Sequence, residues 1–279
     1  MASMTEPAPQ TTVRIEGLRV RPAATESVRD VLPVEAPLQV RVNGAPFTVT
    51  MRTPGADRWL VRGLLHTEGI LLPGGAEPEL AEKRHPETGE VVCISVTVPP
   101  ETVQRPIGEI RTFVSASSCG LCGSKELPET RCLTPVRGLG FPAVELARRA
   151  PAMMAAMRSR QSAFDAAGGT HASAIFRPDG ACLAVFEDIG RHNAVDKIVG
   201  WAIEHDPEAA GRILAVSGRV SWEIVLKAWR AGFAALLAVS APSDLAVETA
   251  RRAGIVLAAF CRDDRATLYA QPPDHEATH

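Results

Sequence analysis

The sequence predicts an α/β fold (α+β overall): a small N-terminal α+β domain, then a C-terminal domain whose mostly parallel sheet is flanked by helices. Three observations predict it. From Arg212 to Phe260, strand-like runs alternate with capped helices in a βαβαβ order, which calls for parallel strands. The first half instead alternates short strands with one amphipathic helix. Hydrophobic residues make up 46% of the 279 residues, enough to bury one large core or two ordinary ones.

Taken in order, residues 1 to 12 are polar, proline-bearing and aperiodic, and read as a disordered start. Leu38 to Val42 and Phe47 to Met51 flank Asn43-Gly44, the strongest short hairpin signal. A helix follows from Asp57 to His66, with Trp59, Leu60, Leu64 and Leu65 at helical spacing and Gly69 to close it. Val91 to Val98 alternates as a strand with Cys93 as a structural thiol, and Ile110 to Ser115 is a strand that delivers the chain into a loop. Turn-forming residues between Pro128 and Pro142 mark the boundary between the two domains, which gives 13–135 and 136–270 with a disordered tail at 271–279.

In the second domain, Ala143 to Ala150 and Pro151 to Phe164 read as helices, Pro151 suiting a first turn and Met153, Met154 and Met157 a buried face. Ala172 to Arg177 and Ala181 to Phe186 flank a Pro178-Asp179-Gly180 turn, and a further helix starts from Asn193 as N-cap, with Asp196 in its first turn. Arg212 to Val216, Phe233 to Val239 and Ile255 to Phe260 are strands. The helices between them start at Ser221 and Ser243 and stop before Gly232 and Gly254.

Charge and hydropathy exclude several functions. With 30 basic and 32 acidic residues the chain offers no electrostatic footprint for nucleic acid or a membrane surface. Its apolar runs fall short of the ~20 residues that cross a bilayer. No secretory signal is visible, so a cytoplasmic, reducing setting is expected, in which Cys-x-x-Cys does not serve as a structural disulfide.

That motif is Ser117-Ser118-Cys119-Gly120-Leu121-Cys122-Gly123, two thiols in a small, polar, glycine-bracketed segment. Pairing in this spacing can lower a thiol pKa and raise the thiolate fraction that attacks sulfur or binds metal. Zinc ranks below sulfur chemistry because the other cysteines stand singly, and a structural zinc site needs four ligands. No metal ligands are assigned. Thioredoxin-type exchange fits poorly with Gly120, Gly123 and Pro128 in a segment that should open a helix.

Parallel strands joined by crossovers end on one edge, where ligands of open α/β folds sit. Four segments should converge there: Glu187 to His192, Ser217 to Val220, Ser240 to Pro242 and Cys261 to Arg265. Three lead into helix N-termini, which favour anions, so Ser217, Gly218 and Arg219 are candidate phosphate-binding residues. Arg191, Arg219, Arg262 and Arg265 can clamp phosphate, and Asp263 and Asp264 can accept hydrogen bonds from the N1–H and amine of guanine. A solvated charged turn is the plainer account of those last residues.

These landmarks together resemble the FdhD family of formate dehydrogenase accessory sulfurtransferases. The resemblance rests on MRTPG at Met51 to Gly55, SSCGLCG, GGTHASA at Gly168 to Ala174, EDIGRHNAVDKIVG at Glu187 to Gly200 and SGRVSWEIVLKAWRAG at Ser217 to Gly232. It spans roughly 33 to 265, and Ser124 to Pro128 departs from the family pattern. It implies a cytidine-deaminase-like C-terminal domain and a sulfur relay. Cys119 would take sulfur from a cysteine desulfurase as a persulfide, and Cys122 would relay or resolve it. The acceptor would be the molybdenum cofactor in its bis-guanine-dinucleotide form, destined for formate dehydrogenase. The family's cofactor-binding segment falls on Phe260, Cys261, Arg262, Asp263, Asp264 and Arg265, with GDP as a mimic of the cargo. Family precedent also makes a homodimer the expected assembly. The alternative is a non-catalytic chaperone for the same cofactor, with a zinc or redox Cys-x-x-Cys. Deamination itself is excluded by the pattern: His171 lacks a Glu two residues on, and Ser118 stands where that chemistry places Pro.

Overall fold

The computed structural model describes residues 10–71, 77–103, 114–115, 133–206 and 211–271. Two larger sheets organise them, preceded by a two-stranded ribbon, β1 (Thr12–Arg21) and β2 (Ala24–Pro33). The expectation of disorder up to residue 12 is corrected at its end, because Thr12 already pairs with Pro33 in that ribbon. Its outer half buries little, so the hydrophobic alternation that identifies strands is weak there.

β3 (Ala36–Val42) and β4 (Ala45–Arg52) form the expected hairpin. Asn43 and Gly44 adopt φ of 48° and 80°, the left-handed pair that a tight hairpin turn requires. The first helix, α1 (Asp57–Thr67), lies on this sheet and buries Leu60, Val61 and Leu65 completely. Each such side chain contributes about 1.5–3 kcal/mol relative to exposure. β5 (Glu79–Arg84), β6 (Val91–Thr97) and β7 (Val114–Ser115) complete the sheet in the order β5-β6-β3-β4-β7. β5 reads as polar sequence because it is an edge strand with only alternate residues half buried.

Two helices expected on either side of Pro151 are instead one, α2 (Ala143–Arg158), followed by a short α3 (Ser162–Ala167). Pro151 sits inside α2 rather than at its start. The rest of the fold comprises β8 (His171–Phe176), β9 (Cys182–Asp188), α4 (Arg191–His205), β10 (Ile213–Val216), α5 (Trp222–Arg230), β11 (Ala235–Ala238), α6 (Asp244–Ala253), β12 (Val256–Arg262) and β13 (Arg265–Ala270). These strands form one six-stranded sheet in the order β13-β12-β11-β10-β8-β9. The βαβαβ reading holds, since β10, β11 and β12 pair in parallel. β8 and β13 are antiparallel to their neighbours, so β9, β10, β11 and β12 run one way and β8 and β13 the other.

Both faces of this sheet are covered. Ile213, Ala215 and Leu237 point into a core shared with Met153, Met154 and Met157 of α2, while Leu214, Val216 and Leu236 point into one shared with α4, α5 and α6. That explains why the inner strands read as continuous apolar runs.

The two sheets meet through α1 and α4, whose backbones touch. A Cβ on Gly63 would lie 1.9 Å from the Asp196 carbonyl oxygen, and one on Gly200 would lie 1.9 Å from that of Trp59. Charged residues lock the seam. Lys197 Nζ donates to the carbonyls of Thr53 (2.9 Å) and Glu187 (3.1 Å) and lies 2.7 Å from Asp188 Oδ2. Asp188 accepts from the Thr53 amide at 3.2 Å, and Lys227 Nζ donates to both Asp196 oxygens at 2.9 Å and to Thr67 at 2.8 Å. Burial opposes the Lys227 charge, but Asp196 and Glu68 outweigh it and hold the ammonium above its usual range. Two expectations are corrected here. α4 begins at Arg191 with Gly190 as N-cap, and Asn193 Nδ2 instead donates to the Met51 carbonyl at 2.8 Å. Asp196 is a buried partner of Lys227, not an exposed complement to the helix dipole.

Candidate functional site at the carboxyl edge of the six-stranded sheet

Because β9 to β12 share a direction, their carboxyl ends at Asp188, Val216, Ala238 and Arg262 lie on one edge, joined there by the starts of β8 and β13. On the α2 face of that edge is a cavity of about 710 Å³. This is within the ~300–1,000 Å³ typical of small-molecule sites. Its sheet side is built from His171, Ser217, Val239, Cys261, Arg262 and Asp263, and its other side from the end of α2, α3 and Gly168 to Thr170.

Local chemistry fixes each wall. Glu187 accepts from the amides of Ala163 and Phe164 at 2.8 Å and from the Thr170 hydroxyl at 2.8 Å, so one carboxylate caps α3 and ties the Gly168 to Thr170 loop to β9. Ser217 Oγ accepts from the Ala172 amide at 2.9 Å, which ties the start of β8 to the end of β10. Gly218 passes so close to His171 that a Cβ there would lie 3.2 Å from Nδ1.

The β12–β13 connection is strained. Phe260 and Asp263 hold φ of 53° and 57°, a region that L side chains rarely adopt, and the ladder shifts register between Ala259 and Arg262. An Asp therefore stands where a tight turn favours glycine, exposed at the cavity wall. Next to it, burial pushes the Cys261 thiol up to about 11, with a hydrogen bond from Ala238 opposing the shift. This thiol is protonated at neutral pH and a poor nucleophile. His171 is held below its ordinary range, first by burial and then by the nearby Arg191 and His192 charges, so its imidazole is neutral.

Of the residues singled out in the sequence, Ser217, Cys261, Arg262 and Asp263 come together around this cavity. Gly218 backs His171, and Arg219 acts on it only through charge. Asp264 and Arg265 form the exposed turn beyond, and Phe260 packs toward Tyr269 at 6.4 Å between ring centroids. Cys119 and Cys122 lie outside the described residues. Sequence reasoning missed the whole α2–α3 wall, because Arg158, Gln161 and Phe164 carry no motif and read as ordinary helix. Met154 and Met157, expected as core, are core and also reach the cavity.

A second group lies on the α4–α5 side of the same edge. His192 Nε2 is 3.1 Å from Glu223 Oε2. Burial alone would push the Glu223 carboxyl up, but the hydrogen bond and charge of His192, with Lys227 and Arg191, bring it below its usual range. Among the described residues, no helix is long and apolar enough to cross a membrane.

The FdhD/NarQ family model matches residues 33–275. The chain is 43% identical over 249 residues to the "Sulfur carrier protein FdhD" of Mycolicibacterium paratuberculosis, covering 87% of this chain and 90% of that one. It is 42% identical over 265 residues to the protein of that name in Nocardia farcinica, covering 93% of each. A crystal structure described as a formate dehydrogenase accessory protein from Desulfotalea psychrophila superposes with a TM-score of 0.71 at 19% identity, covering 94% of this chain and 98% of that one. That likeness establishes a shared fold.

Proposed function

As this chain belongs to the FdhD/NarQ family, we propose that it carries sulfur for formate dehydrogenase, accepting it at Cys119 and delivering it to a guanylated molybdenum cofactor bound as cargo at the sheet edge. The observation that carries the cargo half is the convergence of Ser217, Val239, Cys261, Arg262 and Asp263 on one cavity beside a strained turn. Asp263 suits the donor edge of guanine, and Arg262 suits phosphate.

The chemistry runs in two steps. The Cys119 thiolate attacks the outer sulfur of a cysteine desulfurase persulfide, leaving the desulfurase as thiolate and Cys119 as persulfide. In the second, the Cys122 thiolate attacks the inner sulfur. The Cys119–Cys122 disulfide forms, its two electrons having reduced the outer sulfur to sulfide. Sulfide replaces one oxygen ligand of the molybdenum, and that oxygen leaves as water with the two thiol protons. A cellular dithiol then reduces the disulfide. Cys261, protonated at the cavity wall, takes no part.

The test is incubation with a cysteine desulfurase and cysteine, followed by intact mass. Wild type and Cys261→Ser gain the mass of one sulfur, and Cys119→Ala gains none. Retention of the adduct in Cys119→Ala, or its loss in Cys261→Ser, overturns the assignment.

A further inference from the structure

The α2–α3 elbow holds two cavity-lining side chains that belong to no motif. Gln161, at the N-cap of α3, is 3% exposed and lines the cavity. Its side chain does not cap the helix, and among the described residues its amide makes no hydrogen bond. An amide on a cavity wall with no hydrogen bond to protein is available to whatever fills that cavity. Three residues earlier, in the last turn of α2, Arg158 lines the same cavity. Its guanidinium lies 4.8 Å from the centroid of the Phe164 ring and 2.6 Å from Asp165 Oδ1. Both members of that ion pair are about half exposed, so the pair itself adds little stability and mainly orients the guanidinium at the mouth.

Gln161 and Arg158 differ in what they can bind. An amide offers both a donor and an acceptor, and suits a base edge or a sugar hydroxyl. A guanidinium at the mouth suits an oxyanion. Across the cavity stand the exposed Arg262 and Asp263, and a nucleotide reaching from the buried Gln161 to the half-exposed Arg158 would present its base or sugar inward and its phosphates outward.

We infer that the α2–α3 elbow is the second half of a nucleoside-diphosphate site, in which Gln161 hydrogen-bonds the base or sugar inside the cavity and Arg158 clamps the diphosphate at its mouth. This rests on the nucleotide reading of the cavity proposed above, and the experiment separates the two. Full-length protein is titrated calorimetrically with GDP and with guanosine, as wild type, Gln161→Leu and Arg158→Gln. Gln161→Leu weakens both ligands about tenfold. Arg158→Gln weakens GDP by about tenfold and guanosine by less than about twofold, and flattens the salt dependence of GDP binding. The apo form of Gln161→Leu melts no lower than wild type, because the removed amide had no partner to lose.

If wild type binds GDP and both variants bind it equally well, the elbow assignment fails alone. If wild type binds neither GDP nor guanosine, the nucleotide reading fails and takes the assignment with it. A clearly lower melting temperature for apo Gln161→Leu also overturns the assignment, because it gives the amide a structural partner.

Discussion

The seam between the two sheets and the carboxyl edge of the larger one lie only a few residues apart in sequence, yet they are built on opposite rules. At the seam the buried charges described are paired, Lys197 with Asp188 and Lys227 with Asp196. Glycines there admit backbone against backbone. At the edge, Asp263 sits in a left-handed turn, Gln161 has an unpaired amide and Cys261 a protonated thiol. The motifs at Met51 to Gly55 and Glu187 to Gly200 are spent mainly on the seam. Their residues satisfy several buried polar groups at once, through Thr53, Asp188, Asn193 and Lys197.

The sharpest way to break this contrast is Gly200→Ala. With 1.9 Å between the new Cβ and the Trp59 oxygen, backbone must move, and a loss of about 4 kcal/mol or more is expected from denaturant unfolding. A loss below about 1 kcal/mol would mean that the helices separate freely. Next is Lys227→Met, which leaves Asp196 buried without its cation and costs about 3 kcal/mol, most of it recovered in Lys227→Met with Asp196→Leu. At the edge the sign reverses. Asp263→Gly relieves the left-handed strain and stabilises the apo protein by about 1 kcal/mol, while removing guanine recognition.

The smallest effect is on pH dependence. Burial first, and then Arg212 and Arg230, lower the pKa of His66, whose Nε2 lies 2.9 Å from the Arg230 carbonyl; the pKa of His171 is lowered as well. The unfolded chain therefore binds more protons than the native one below about pH 6.5, so stability is full above that value and falls as pH drops through it. Melting curves at about pH 7.5 and about pH 5.5 should show the decline, and His66→Gln should make it shallower.

Much of this was legible in sequence. Asn43-Gly44 specifies its own turn, and Ser243 accepts from the Ala246 amide and caps α6 as its type suggests. The elements that escaped are those whose signal is not local. β1 and β2 bury little and so carry little alternation, and β13 is half exposed at an edge. Asn193 has the composition of an N-cap, but the Met51 carbonyl, 142 residues away in sequence, takes its amide. The site was half legible for the same reason: Asp263 and Ser217 fall at strand ends that topology predicts, whereas Gln161 matters only because a cavity lies beside it.

The most direct test of the central contrast is ligand-induced thermal stabilisation of wild type and Asp263→Asn with saturating GDP or ADP. A ligand that binds only the native state at about one hundred times its Kd stabilises by about 2.7 kcal/mol. GDP should raise the melting temperature of wild type well beyond ADP, and the difference should vanish in Asp263→Asn. Equal shifts with both nucleotides, or a GDP shift that survives in Asp263→Asn, would contradict the reading of this edge as a guanine site.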